Sequence, residues 1–206
     1  MVEIPAPGPA AMWNARYSEE GFAYGSAPND FLVERTADLL GPVLSLAEGE
    51  GRNGVWLATR GLEVTAVDLS PVGLEKAEAL AASHGVHLHT VVADLATYDV
   101  APGAWGSIVA IWCHLPPVER ARLFAACVKG LRPGGTLLLE SYTPDQIALG
   151  TGGPRDPALC MTLAALRDEL RGLELVVGRE VRRDVHEGRY HEGPSATVQV
   201  LARKPG

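Results

Sequence analysis

The sequence predicts an α/β fold in which a mostly parallel sheet carries helices on both faces. The main observation is that short apolar runs alternate with stretches of helical periodicity over residues 41–140. A second is that a glycine-rich turn separates the first apolar run from the first helical stretch. The third is the composition: 206 residues, of which 47% are hydrophobic and 21% charged, suit one globular domain with a sizeable core.

Each apolar run is short, which is typical of a buried strand. We predict strands at residues 43–47, 63–68, 87–93, 107–112 and 136–140. Helices are predicted between them at residues 53–60, 71–83 and 117–131. Ser70 is the expected N-cap of the second helix and Pro71 its first residue. The Arg-Pro-Gly-Gly segment at residues 132–135 is expected to form a turn. Because βαβ units place the strand carboxyl ends on one edge of the sheet, we expect a ligand there.

The C-terminal part has a different pattern. Residues 163–170 predict a helix, and residues 173–185 and 195–202 predict an antiparallel hairpin at the edge of the sheet. Residues 143–157 are rich in Gly and Pro, and we expect them to form a loop over the ligand edge. The chain is therefore divided into an N-terminal cap at residues 1–40 and a core at residues 41–206, within a single domain.

The net charge of −7 offers no positive surface for nucleic acid or for an anionic membrane. A local group of arginines is interspersed with acidic residues, which is more typical of a solvated strand face than of a phosphate-binding stripe. Its members are Arg179, Arg182, Arg183 and Arg189. No apolar run approaches the roughly 20 residues that span a bilayer. We therefore expect a small-molecule partner, with no nucleic acid and no membrane.

The chain has three cysteines, Cys113, Cys127 and Cys160. They are too few and too scattered for a disulfide framework or a zinc site, so no metal is expected. An odd number of thiols suits a reducing compartment, and the N-terminus lacks the features of a signal peptide. A cytoplasmic location is therefore expected. The oligomeric state is left open between a monomer and a homodimer.

The glycine-rich turn contains Gly49 and Gly51, and a helix begins directly after it. Glycines at this spacing allow the backbone to approach a ligand closely, although many simple tight turns share the pattern. Asp68 ends the next strand, at about the distance where nucleotide-binding folds place a carboxylate for the ribose hydroxyls. Asp68 alone could instead cap the following helix. Asp94 follows the third strand, where it could accept from an adenine amine.

Two further acidic residues, Glu48 and Glu50, lie in the turn itself. Their charges would repel the diphosphate of NAD. S-adenosylmethionine (SAM) carries a sulfonium and an ammonium and no phosphate, so it would tolerate them. The charge pattern therefore favours SAM over NAD.

The order of these motifs resembles the class I SAM-dependent methyltransferases over residues 13–204. The matching segments are Gly49-Glu50-Gly51-Arg52-Asn53, Val67-Asp68-Leu69-Ser70, Ala93-Asp94-Leu95 and Leu131-Arg132-Pro133-Gly134-Gly135. In the cap, Trp13-Asn14-Ala15-Arg16-Tyr17, Tyr24-Gly25 and Pro28-Asn29-Asp30-Phe31-Leu32 look like the tellurite-resistance and thiopurine methyltransferases. The resemblance implies a Rossmann-like, seven-stranded, mostly parallel sheet whose last strand is antiparallel.

The resemblance also implies a cofactor site. It implies that the Gly49/Gly51 loop contacts SAM, that Asp68 contacts the ribose, and that Leu69, Asp94 and Leu95 contact the adenine. The full expected set is Tyr17, Tyr24, Glu48, Gly49, Gly51, Asn53, Asp68, Leu69, Asp94 and Leu95. The sequence departs from the class at Ser45, where an acidic residue is usual, and at Ala47, where Gly is usual. Glu48 is the candidate substitute for the missing carboxylate.

For the acceptor side we expect two candidate bases, His114 after the fourth strand and His186 at the start of the hairpin. Each could also be an ordinary histidine, in a proline turn or on an exposed loop. His191 is a weaker candidate, and Cys113 is expected to be a buried residue rather than a nucleophile. The residues expected to contact the acceptor are Trp13, Arg52, Tyr142 and Arg189.

The predicted function is SAM-dependent methyl transfer to a small, soft S, Se or Te nucleophile such as a thiol, a thiopurine or tellurite, leaving S-adenosylhomocysteine (SAH). One alternative is a non-catalytic SAM-binding regulatory protein. The other is an NAD-binding oxidoreductase, which lacks support because the turn is acidic and has no G-x-G-x-x-G spacing.

Overall fold

The computed structural model describes residues 8–206 and contains one seven-stranded sheet, with the strand order β3-β2-β1-β4-β5-β7-β6. The strands are β1 (Val43–Leu46), β2 (Val64–Asp68), β3 (His89–Val92), β4 (Trp105–Ile111), β5 (Leu131–Tyr142), β6 (Glu174–His186) and β7 (Glu192–Arg203). β1 to β5 pair in parallel, and β7 is antiparallel to both β5 and β6. The predicted fold class, the antiparallel last strand and the edge hairpin are confirmed.

Helices cover both faces of the sheet. They are α1 (Pro9–Tyr17), α2 (Asp30–Arg35), α3 (Arg52–Thr59), α4 (Pro71–Ser83), α5 (Pro117–Gly130), α6 (Gln146–Leu149) and α7 (Leu163–Glu169). Successive strand residues point to opposite faces, so Leu44 belongs to one buried cluster and Val43 to the other. Side chains from α5 and α7 complete the first cluster, and side chains from α2, α3 and α4 complete the second.

The predicted N-cap of α4 is confirmed, since the Ser70 hydroxyl accepts from Gly73 N at 3.1 Å. The prediction of a separate turn at residues 132–135 is wrong, because β5 begins at Leu131. Leu131 pairs with Trp105, and the register then shifts so that Thr136 pairs with Ser107. The Pro-Gly-Gly segment is therefore accommodated as an irregularity within a paired strand. The predicted loop at residues 143–157 also contains the short helix α6.

The N-terminal cap packs on the core through α1 and α2; the first seven residues of the predicted cap lie outside the described residues. The Asn14 Oδ1 of α1 accepts from the Ser70 hydroxyl at 2.6 Å. Asn29 caps α2 by accepting from Leu32 N at 3.1 Å. Over residues 8–206, no helix is long and apolar enough to cross a membrane.

A buried carboxylate joins this cap to the hairpin. Glu140 on β5 is completely buried and receives two hydrogen bonds from the Arg183 guanidinium of β6, both at 2.9 Å. Asn29 Nδ2 and Gln199 Nε2 donate to the same carboxylate at 2.7 and 2.8 Å. A buried charge is tolerated only when it is paired and hydrogen-bonded, and Glu140 meets that condition through groups from three separate segments.

Arg183→Ala is expected to lower the free energy of unfolding by about 3 kcal/mol or more, because it leaves the Glu140 charge buried without its cationic partner. Urea denaturation measures this. Arg182→Ala is the matched control: the Arg182 side chain is 69% exposed, and its one ion pair within residues 8–206 is with the exposed Asp145 at 3.5 Å. Its effect should stay within about 0.5 kcal/mol. Equal losses of unfolding free energy in the two variants would contradict the conclusion that Arg183 compensates the buried Glu140 charge.

Candidate active site

The strand order reverses between β1 and β4, so the crevice beyond their carboxyl ends is where an open sheet of this kind binds ligands. The glycine-rich turn after β1 forms one wall of the crevice. Gly49 and Gly51 have φ angles of 62° and 93°, which side-chain-bearing residues rarely adopt. A Cβ atom on Gly51 would also lie 2.7 Å from the Ala77 backbone of α4. Both glycines are therefore required by the turn, and Gly51 also by helix packing.

Asp68, at the end of β2, holds this turn in place. Its Oδ2 accepts from Gly49 N and its Oδ1 from Ser70 N, both at 2.8 Å. Burial raises the pKa of this carboxyl group, against the lowering effect of these amides. Each carboxylate oxygen has a second lone pair. Asp68 can therefore accept from a pair of vicinal hydroxyls while it anchors the turn.

The two glutamates of the turn are both used internally. The Glu48 carboxylate accepts from Gly54 N at 2.6 Å and from the Ser45 hydroxyl, and burial raises its pKa. It thus reaches Ser45, the position where the resemblance implies an acidic residue. Glu50 accepts from Ala23 N at 2.7 Å and pairs with Lys76 at 2.8 Å, which ties the cap to the turn.

Aromatic residues of the cap close the crevice from above. A Cβ atom on Gly49 would lie 2.7 Å from Tyr17 Oη, so the phenol rests directly on the turn. Burial and the nearby Asp68 charge raise the pKa of Tyr17 well above its ordinary value. Trp13 stacks on Tyr17 with ring centroids 5.6 Å apart, and Tyr24 lies edge-on to it at 6.4 Å.

The remaining predicted cofactor residues occupy different environments. Asn53 Oδ1 accepts from Asn29 N at 3.0 Å, which joins α3 to the cap. Leu95 is buried and Leu69 is half-buried. Asp94 follows β3 and is exposed, and its Oδ1 accepts from Ala96 N at 2.8 Å.

These residues fit SAM. The turn carries no Cβ atom at the two positions where the backbone bends most sharply, and Asp68 keeps acceptor capacity beside it. Glu48 and Glu50 are both buried at the same turn, where a diphosphate would meet two carboxyl groups. Over residues 8–206, no group of three or more His, Cys, Asp or Glu side chains could hold a metal ion.

The other wall of the crevice is formed by a cluster at the carboxyl ends of β4 and β5, to which the cap and the hairpin each add one residue. We call it the aromatic–histidine cluster, and its members are Tyr24, Trp112, His114, Tyr142 and His191. Trp112 stacks on Tyr142 with centroids 4.3 Å apart, and His191 lies edge-on to both. Trp112 has a φ of 54°, an unusual conformation for a residue with a bulky side chain. Such strain is concentrated at functional sites.

Three polar atoms of the cluster are buried without a hydrogen-bond partner among the described residues. They are His114 Nε2, Tyr142 Oη and His191 Nδ1. His191 Nδ1 faces the Glu187 carboxylate at 3.7 Å. Buried polar groups are nearly always paired, so the other two atoms, His114 Nε2 and Tyr142 Oη, indicate a place for an external partner.

His114 is held in a defined state. Its Nδ1 lies 3.2 Å from the carbonyl oxygen of Leu159, so that nitrogen carries the proton and Nε2 carries the lone pair. Burial lowers the pKa of His114 to about 4. The imidazole is therefore neutral near pH 7, with an unpaired acceptor atom facing the cluster.

Glu187 lies behind the cluster and was missed by sequence reasoning. Its carboxylate accepts from Arg52 at 2.6 Å, from Asn29 at 2.8 Å and from Trp112 Nε1, and lies 3.7 Å from His191 Nδ1. Although burial alone would raise the pKa of Glu187, its contacts with His191, Arg52 and Trp112 hold it well below its usual range. Arg52, an expected acceptor contact, is therefore already paired with Glu187.

Two predicted residues do not join the cluster. The His186 side chain is 69% exposed and its Nδ1 lies 2.7 Å from Glu192. Strand alternation explains the exposure of His186. The inward-facing side chains on either side of it are those of Arg183, Val185 and Glu187. Arg189 is exposed and pairs with Glu19 of the cap at 2.9 Å. Cys113 is buried, which raises the pKa of its thiol to about 12, so it remains a neutral core residue.

A family model described as a methyltransferase domain matches residues 43–135, the segment that contains the turn, Asp68 and the end of β4. Residues 43–135 therefore form a SAM-dependent methyltransferase domain. A search of curated protein sequences found no significant match.

Solved structures share the methyltransferase fold over most of the chain. One comes from work on the conversion of a disulfide bond into a thioacetal group during echinomycin biosynthesis (TM-score 0.75, 19% identity, 95% of this chain and 91% of that one). Another is the N-methyltransferase NodS of Bradyrhizobium japonicum WM9 in complex with SAH, with a TM-score of 0.70 and 16% identity over 96% of this chain and 98% of that one. TehB of Haemophilus influenzae is also similar, with a TM-score of 0.69 and 18% identity over 85% of this chain and 61% of that one. At these identities the likeness concerns the fold.

The lowered pKa of His114 predicts a pH-dependent stability. Between the ordinary pKa of 6.5 and the folded value of about 4, the unfolded chain binds a proton that the folded methyltransferase does not. Stability is therefore lost as the pH falls through this range. Between pH 7.5 and pH 5, the protonation of His114 in the unfolded chain should lower the free energy of unfolding by about 2 kcal/mol.

Urea denaturation at these two pH values should show a smaller loss in His114→Asn than in the unmodified methyltransferase. His84→Asn, which changes an exposed histidine, should keep the full loss. A loss unchanged in His114→Asn would mean that the imidazole is not buried in its neutral form.

Proposed function

We propose that this methyltransferase acts on a small molecule with a soft nucleophile, most favourably a thiol or thione on an aromatic ring, which binds against the aromatic–histidine cluster. The observation that carries the proposal is that two polar atoms, His114 Nε2 and Tyr142 Oη, are unpaired among stacked rings at the carboxyl ends of β4 and β5. The cluster is largely buried, which suits a small acceptor rather than a polymer.

The rings of the cluster support a sulfur acceptor over a selenium or tellurium oxyanion. Of the cations beside the cluster, Arg52 is already paired with Glu187, and Arg16 donates to Tyr24 Oη at 2.8 Å. Burying selenite or tellurite among these rings would cost its hydration. Sulfur, by contrast, makes favourable contacts with aromatic rings such as Trp112 and Tyr142.

The roles of the chain's own residues follow from their contacts. Bound SAM supplies an electrophilic methyl group on its sulfonium. Trp112, which stacks one face on the buried Tyr142, would hold a flat acceptor on its other face, and His114 Nε2 would accept a hydrogen bond from it. Burial raises the pKa of the Tyr142 phenol well above its usual value, so it remains an O–H donor. Positioning of this kind accounts for several kcal/mol of the barrier in many enzymes.

The alternatives differ in measurable ways. A non-catalytic SAM-binding regulatory protein would bind SAH without turnover of any acceptor. An NAD-binding oxidoreductase would be stabilised by NAD and not by SAH. The match to a methyltransferase domain argues against both.

SAH formation should be measured with aromatic thiols, alkyl thiols, amines, phenols, selenite and tellurite. Aromatic thiols should give the highest kcat/KM. Tyr142→Phe should lower that value about tenfold or more while leaving the stability within about 1 kcal/mol, because it removes only an unpaired hydroxyl.

Tyr98→Phe, on a half-buried tyrosine in the core cluster with α5, is the matched control and should retain full activity. His186→Ala tests the sequence-based expectation for that residue directly. Turnover of tellurite or selenite in preference to every thiol would refute the acceptor class, and SAH binding without turnover of any acceptor would refute the enzymatic role.

A further inference from the structure

We propose that His191 is the base that takes the proton from the acceptor, and that Glu187 is the residue that positions it; the proposal rests on the proposed function. His191 is only 5% exposed and lies against three aromatic rings of the cluster. The centroid distances are 4.7 Å to Tyr24, 5.0 Å to Trp112 and 5.3 Å to Tyr142. It thus lies within the cluster to which the acceptor is assigned.

The contact between His191 and Glu187 defines the chemistry of the imidazole. Glu187 Oε2 lies 3.7 Å from His191 Nδ1. A proton on Nδ1 faces the carboxylate favourably, whereas a lone pair there would be repelled. This tautomer leaves the lone pair on Nε2, and the negative charge stabilises the imidazolium that forms when Nε2 accepts a proton.

Glu187 is fixed by groups from three other segments. Arg52 belongs to α3, Asn29 caps α2, and Trp112 follows β4. With all three donating to it, the carboxylate has little freedom to turn away. It therefore acts on the reaction through His191.

The hairpin turn places these two residues side by side. Glu187 N donates to the carbonyl oxygen of His191 at 2.8 Å, which closes the turn between β6 and β7. Gly188 allows the turn to approach the cap, since a Cβ atom there would lie 2.5 Å from the Ala23 carbonyl oxygen. His191 also forms a β-bridge with Gly152 of the loop that follows α6. The backbone of His191 is therefore held from both sides.

His114 is less suited to hold a proton. Its Nδ1 faces the neutral carbonyl of Leu159, which orients the ring but supplies no negative charge. The charged groups around His191 are Glu187, which favours the imidazolium, and Arg52 and Arg16, which oppose it. Burial lowers the pKa of His191, and Glu187 counteracts that shift. We assign orientation of the acceptor to His114 and removal of its proton to His191.

The lone pair of the acceptor atom forms a bond to the methyl carbon as the carbon–sulfur bond of the sulfonium breaks and its electron pair stays on sulfur. The proton on the acceptor atom passes to His191 Nε2, and it reaches solvent when the product leaves. An acceptor that is already anionic has no proton to lose and does not need this help.

The test uses a series of thiols of graded acidity at one pH. In His191→Asn, kcat/KM should fall about 100-fold for weakly acidic alkyl thiols, the scale of general base catalysis. It should fall less than about threefold for aromatic thiols that are already ionised. Glu187→Gln should show the same dependence on acceptor acidity with a smaller loss, because His191 keeps its place without the negative charge.

Two controls separate this role from a structural one. His84→Asn should leave every rate unchanged, because His84 is an exposed residue at the end of α4. SAH affinity, measured by calorimetry, should be unchanged in His191→Asn. Equal losses for all thiols in His191→Asn would overturn the assignment of the base while leaving the proposed function intact. If the unmodified methyltransferase turned over no thiol, the proposed function itself would fail.

Discussion

Two buried carboxylates, Glu140 and Glu187, hold the three parts of this methyltransferase together. Asn29 of the cap donates to both, while Arg183 of the hairpin binds Glu140 and Arg52 of the core binds Glu187. Buried charges of this kind are tolerated only when each is fully paired, so the cap, the core and the hairpin must come together in one arrangement. The two walls of the crevice exist only in that arrangement.

Much of the fold could be predicted because it depends on local pattern. The periodicity of residues 41–140 identified the five parallel strands, and Ser70 and Pro71 marked the start of α4. The early start of β5 could not be predicted in this way. It depends on the pairing of Leu131 with Trp105 and on the bond from Gly134 N to the Lys204 carbonyl at 2.9 Å, which are contacts between distant segments.

Some residues of the candidate site could likewise be predicted from local sequence patterns, whereas others depend on contacts between distant segments. The glycine turn and Asp68 lie close together in sequence and follow a known order of motifs, so they could be identified from the chain alone. Glu187 lies 135 residues from Arg52, and nothing local indicates that this glutamate is buried. The choice between His186 and His191 depended on the phase of a strand, since a shift of one residue reverses which side chains face the core. That phase is fixed by tertiary pairing with β7.

A crystal structure of the SAH complex is the most direct test of the site. The ribose should contact Asp68 and the sulfur atom should face the aromatic–histidine cluster, with the bonds from Asn29 to Glu140 and Glu187 intact. An SAH molecule whose sulfur faces away from Trp112 and His191, or which binds without contact to Asp68, would contradict this arrangement.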